Sequence, residues 1–159
     1  MALLPDRHNQ PVAIPENEWV RYPNFGAWEF WCRRCGKAGN GIQHSAVSAT
    51  QQVRTLAGRP VYVNSGYRCP HHGNETSQHC NGLAVDLVVS GYTVEEMFYL
   101  VSHVPAFEKG GIGIYPQQGF CHGDTRGRQA RWGRIDGRYV SFSYAWQWMI
   151  EHPQPPVLR

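Results

Sequence analysis

Ser77-Gln-His79-Cys-Asn-Gly82-Leu-Ala-Val-Asp86-Leu87 is the stretch on which the reading of this chain turns. It passes from a polar segment into the apolar run of residues 83–89, which has the length and composition of a buried strand. Asp86 lies inside that run. An unpaired buried carboxylate costs on the order of several kcal/mol, so a cation must sit against it. Arg68 or a metal ion would serve. His79 precedes Asp86 by seven positions, and Gly82 between them permits a tight bend that turns both side chains to one point. A second histidine follows in Phe120-Cys-His122-Gly-Asp124. Two imidazoles and one carboxylate are the three-ligand set of a catalytic zinc, which keeps a fourth position open. If they converge, the chain is a metal-dependent hydrolase. Each taken alone has a plainer reading, above all His79 as a solvated loop histidine.

Around this set stand the other candidates. His122 and Asp124 are two apart on an expected strand and so share a face, with Cys121 turned the other way into packing. Asp124 then has two readings: it orients the His122 ring as a carboxylate behind the ligand, or it acts as general base. A surface carboxylate paired with Arg126 or Arg128 is the third possibility. Arg68, in Ser65-Gly-Tyr67-Arg68, follows an expected strand and suits a substrate carboxylate, which guanidinium binds bidentately. The alternative is a structural salt bridge to Asp86 or Asp124. Tyr67 and Ser77 are candidate substrate contacts, Tyr67 also a candidate for holding its loop.

The rest of the chain frames a domain able to hold such a site. At 159 residues it can bury a core without relying on metal or disulfides. An apolar content of 42% argues against disorder, and 17 glycines with 11 prolines favour a turn-rich mixed fold over a helix bundle. The charge of +3 suits an anionic surface, but no Lys/Arg block or interleaved basic-aromatic pattern supports nucleic-acid binding. No stretch is long and apolar enough to span a membrane. The N-terminus lacks the basic and apolar regions of a signal peptide. The expected location is therefore the cytoplasm, with release to the cell wall by lysis, or a place in a packaged particle.

Residues 1–24 look like an extended lead-in to a single domain over 25–159, with Phe25, Trp28, Phe30 and Trp31 packing on its core. A helix is expected over 44–57, with Val47, Val53, Leu56 and Ala57 on one stripe and Gly58 ending it. Strands are expected over 60–64, 83–89, 110–115 and 120–125. A helix begins at the capping sequence Thr93-Val-Glu-Glu96 and ends before Pro105. Asp136-Gly137 marks a hairpin within 131–140, and a short helix closes the chain at 144–150. This order is not a regular βαβ alternation, so an α+β domain with a mostly antiparallel sheet is expected.

Five cysteines, an odd number, do not suggest a finished disulfide framework. Cys32-x-x-Cys35 has the spacing of half a zinc knuckle, but no second CxxC follows. Uncombined thiols or one local bridge is the plainer reading. Cys69 and Cys80 flank the candidate site and are able to pair if oxidised.

Taken in order, Ser65-Gly-Tyr-Arg68, Ser77-Gln-His79, Gly82-Leu-Ala-Val-Asp86-Leu, Gly110-Gly-Ile-Gly-Ile-Tyr115-Pro, Phe120-Cys-His122-Gly-Asp124-Thr-Arg126 and Arg131-Trp132 form one pattern. It resembles the M15 family of zinc D,D-carboxypeptidases and murein endopeptidases, especially its small subgroup, over roughly residues 44–133. The resemblance implies the fold shared with the hedgehog signalling domain. It implies zinc (Zn2+) on His79, Asp86 and His122, Arg68 at the substrate, and cleavage of peptidoglycan stem or cross-link peptides. Members include bacterial wall enzymes and phage lytic proteins, so stem peptides are the expected partners, with other virion proteins if the chain is carried in a particle. Neither nucleic acid nor membrane is an expected partner. Many relatives carry a catalytic carboxylate three residues before the last zinc histidine, where this chain has Gly119. Asp124, or His71 or His72, is then the candidate for proton transfer. Gly123 stands where relatives prefer a β-branched residue. The rival expectations are a non-catalytic wall-binding or virion module on the same fold, and a zinc peptidase with a substrate outside the wall.

Overall fold

The computed structural model describes residues 11–70 and 76–159. Six strands, β1 (Val61–Ser65), β2 (Ala84–Val89), β3 (Gly111–Tyr115), β4 (Phe120–Asp124), β5 (Ala130–Ile135) and β6 (Arg138–Ser141), form one sheet in the order β1-β2-β4-β3-β5-β6. Every neighbouring pair is antiparallel except β3 and β5. The α+β class and the mostly antiparallel sheet match the sequence expectation. β2 is buried along its whole length and central enough to explain its apolar run.

Four α-helices accompany the sheet: α1 (His44–Ala57), α2 (Val94–Ser102), α3 (Pro105–Glu108) and α4 (Phe142–Glu151). In α1 the buried stripe is Ala46, Val47, Ala49, Thr50 and Val53, and Gly58 ends the helix in the left-handed conformation. Leu56 was expected on that stripe but is exposed, because the 46/49/50/53 spacing already defines the inward face. Thr93 caps α2, its hydroxyl accepting the Glu96 N–H at 3.2 Å. The three earlier helices pack together against the middle of the sheet. α4 packs on β3 and β5, and its Phe142 and Trp146 rings meet Phe98 of α2. Cys121 on β4 is fully buried and points its thiol toward the Val94 carbonyl at 3.7 Å. Its strand neighbours His122 and Gly123 therefore alternate, and His122 and Asp124 face away from the helices.

Two expectations are corrected here. Within the supposed lead-in, Glu16–Arg21 is a 3-10 helix, and Ile14 and Tyr22 are buried on the core. Of the early aromatic cluster, Phe25 and Phe30 are buried, but Trp28 is exposed. The hairpin at Asp136-Gly137 forms as expected, both residues having positive φ (51° and 74°). No described helix is long and apolar enough to cross a membrane.

Candidate metal centre

The sheet register assembles the site. Asp86 on β2 pairs directly with His122 on β4. On the other side of β2, β1 slips by one residue between Val63 and Ser65, which sets Ser65 opposite Asp86. Such a bulge re-aims the chain that follows it, here Gly66-Tyr67-Arg68, toward the carboxylate. His79 arrives from a series of tight turns in which Cys80, Asn81 and Gly82 donate to the carbonyls of Ser77, Gln78 and His79. Gly82 has φ +71°, and a Cβ there would run into the Gly41 carbonyl oxygen.

Asp86 Oδ1 lies 3.3 Å from His79 Nε2 and 3.1 Å from His122 Nδ1. One donor atom from each of the three residues lies within 4.8 Å of the others, and all three side chains are buried. The far nitrogen of each ring is committed elsewhere. His79 Nδ1 donates to the Gly66 carbonyl at 2.7 Å, and His122 Nε2 to Asp124 Oδ2 at 2.8 Å. Those bonds orient both rings and turn the other nitrogen of each toward Asp86 Oδ1. Asp86 Oδ2 accepts from Arg68 Nη2 at 2.9 Å. Two oriented imidazoles and a carboxylate oxygen facing one point fit a zinc ion with a position to spare.

Electrostatics follow from these contacts. Burial alone would raise the Asp86 carboxyl, but hydrogen bonds and charge from the His122 and His79 rings outweigh it and hold Asp86 below the usual carboxylate range. Asp124 is likewise held low against burial by His122, Arg126 and the Gly111 N–H. Burial would lower His122, yet Asp124 and Asp86 together raise it above its ordinary value.

Asp124 is fully buried, and its oxygens accept from His122, the Gly111 N–H, the Arg126 N–H and the Arg126 guanidinium. Gly111 makes this possible, since a Cβ at that position would collide with the carboxylate. Of the readings open for Asp124, this geometry is that of the residue behind the ligand. Arg68 is half-exposed and adopts the salt bridge to Asp86, with a further bond to Ser65 Oγ at 2.9 Å. Ser77 lines the cleft and accepts the His79 N–H at 3.2 Å. Tyr67 corrects the expectation of a substrate contact: it is only 1% exposed, its ring lies against Gly41, and it is not among the residues that line the cleft. His71 and His72 lie outside the described residues.

The ligands open onto a cleft of about 550 Å³ that is also lined by Arg126, Arg128, Arg134, Tyr115, Gln118, Trp132 and Tyr139. Trp132 packs on His122 with ring centroids 4.8 Å apart, and its Nε1 donates to the Tyr115 hydroxyl at 3.2 Å. Burial pushes the Tyr115 phenol up to about 12, so it stays protonated and able to donate at neutral pH. Tyr115 stood in the sequence pattern without a role, and Arg134 and Tyr139 went unnoticed. The parallel β3–β5 pairing brings the last two to the site, and no local pattern announces that pairing. Gly119, with φ +77°, sits in the turn between β3 and β4, where a Cβ would meet Val157 and not the ligands.

Residues 23–124 match the family model described as Peptidase M15. The chain belongs to the M15 peptidase family. Members of this family are zinc metallopeptidases, and in this M15 peptidase the matched span contains all three candidate ligands together with Arg68 and Asp124. No curated protein and no solved structure matches the chain.

Proposed function

We propose that this M15 peptidase is zinc-dependent and hydrolyses peptide bonds in the stem or cross-link peptides of peptidoglycan, as a D,D-carboxypeptidase or endopeptidase. The convergence of His79, Asp86 and His122 inside an arginine-lined cleft carries the proposal. When bound, zinc supplies Lewis acidity toward a carbonyl oxygen and toward water. The chain's own residues do the rest. Arg68 spends its Nε and Nη2 on Ser65 and Asp86, which leaves Nη1 for a substrate carboxylate. Arg128 and Arg134 extend the cationic wall, and stem peptides carry free carboxylates. Tyr115 donates a phenolic hydrogen bond. Asp124 we assign to holding the His122 ring. Its oxygens are already saturated and its carboxyl is held far below neutral pH, which makes it a poor proton acceptor.

One observation favours a second reading, a non-catalytic wall-binding or virion module. Among the described cleft residues Asp86 is the only carboxylate, and both its oxygens are engaged. Metal content and muropeptide digestion, compared between wild type and His122→Ala, separate the two. The peptidase reading expects a new stem-peptide product and the loss of both that product and about one zinc per chain in the variant. Zinc lost in the variant but no product in either protein would point to a binding module or to a different substrate. Comparing a D-residue substrate with its all-L counterpart separates a wall substrate from any other. The biological setting we propose is a phage lytic protein, released to the wall from the host cytoplasm or carried in the virion; assay of purified particles for the chain distinguishes these.

A further inference from the structure

A second group of metal-ligating side chains lies outside the centre described above. Cys32, Cys35 and Cys69 bring their three sulfur atoms within 4.8 Å of one another. Cys32 and Cys69 are buried, and no disulfide joins any of the five cysteines. The local backbone is that of a metal-binding knuckle. The Cys35 and Gly36 N–H groups both donate to the Cys32 carbonyl, at 3.2 and 2.9 Å, and Gly36 completes the turn with φ +57°. Backbone N–H groups of Cys69, Arg34 and Cys35 also point at the Cys32 sulfur. Gly39 leaves room for the cluster: a Cβ there would collide with Cys32 Cβ and come within 3.1 Å of Cys69 Sγ. The buried Tyr67 hydroxyl has no hydrogen-bond partner among the described residues.

We propose that Cys32, Cys35 and Cys69 form a second, structural zinc site of thiolate type. Three thiolates from a CxxC turn and the loop after β1 are the ligand chemistry that selects zinc over harder cations. Three protein sulfurs leave the fourth position of a tetrahedral zinc to water or another donor. A cavity of about 260 Å³ lined by Cys32, Arg33, Arg34, Ser65 and Arg68 gives the ion a route in, and its arginines offset the thiolate charge. The site would staple the 32–35 turn to the loop after β1. That loop also carries the Gly66 carbonyl that orients His79 and the Arg68 guanidinium that holds Asp86. This second site does not rest on the peptidase reading.

Cobalt(II) substitution of the full chain under reducing conditions tests it, because sulfur ligation gives an intense near-ultraviolet charge-transfer absorption that histidine and carboxylate do not. The band is expected in wild type and, undiminished, in the His79→Ala/His122→Ala variant, which should also retain about one zinc per chain. Cys32→Ser/Cys35→Ser should lose the band and about one zinc. If that variant fails to fold, the spectrum of the histidine variant decides alone. Absence of the band in both wild type and the histidine variant, or a disulfide among these cysteines in protein alkylated on isolation, would overturn the proposal. Neither result bears on whether His79, Asp86 and His122 support hydrolysis.

Discussion

Each candidate ligand of the proposed metal centre is oriented by a partner on its far side, and those partners differ in kind. For His79 it is a backbone carbonyl, for His122 a buried carboxylate, for Asp86 an arginine. Asp124→Asn keeps the volume but replaces one acceptor oxygen with a donor and removes the charge. Partners of this kind cost about 10–100-fold in metal affinity when lost. We therefore expect zinc binding by Asp124→Asn to weaken by that factor, measured by competition with a chromophoric chelator. Unchanged affinity with abolished turnover would instead assign Asp124 the role of base. Asp86 and its need for a cation were legible in the sequence, because an acid in an apolar run has few explanations. The Gly66 carbonyl was not, since every residue carries one and only the fold selects which.

At the scale of elements, β4 divides its residues between two environments. Cys121 is sealed beneath α2, while His122 and Asp124 build the centre. The glycine at 123 is explained by α3: a Cβ there would come within 3.0 Å of the Phe107 ring, which is itself fully buried. Gly123→Val should overpack this contact at a cost of about 1–3 kcal/mol, seen as a lowered midpoint in urea with little change in m. A midpoint equal to that of wild type would show that Phe107 has room to move. The helix over 44–57 and the Asp136-Gly137 hairpin were readable because caps and turns are local chemistry. The bulge between Val63 and Ser65 was not, since it exists only relative to β2.

In the whole molecule the proposed metal ties together a turn, a central strand and its neighbour, elements separated by up to 43 residues between His79 and His122. A ligand that binds only the folded state stabilises it by about 2.7 kcal/mol at a hundredfold excess over Kd. For a chain of this size that corresponds to a Tm about 5–11 °C higher with zinc than after chelation. Differential scanning fluorimetry with and without chelator should show this shift, and His122→Ala should shrink it. An equal shift in that variant would mean that the ion stabilises the fold from elsewhere.

By itself the sequence determined which residues could ligate a metal, where α1 and α2 begin and end, and the mixed class of the fold. These depend on residue chemistry and on contacts a few positions apart. Only the tertiary structure decided that Asp86 and His122 are direct cross-strand neighbours, that Tyr67 is buried and does not line the cleft, and that Asp124 is saturated by Arg126 and Gly111. The same holds for the meeting of Cys69 with the Cys32-x-x-Cys35 turn. Strand register, the parallel β3–β5 pairing and the path of a loop are relations between distant segments. They follow from how the whole chain buries its apolar surface, and no local pattern encodes them.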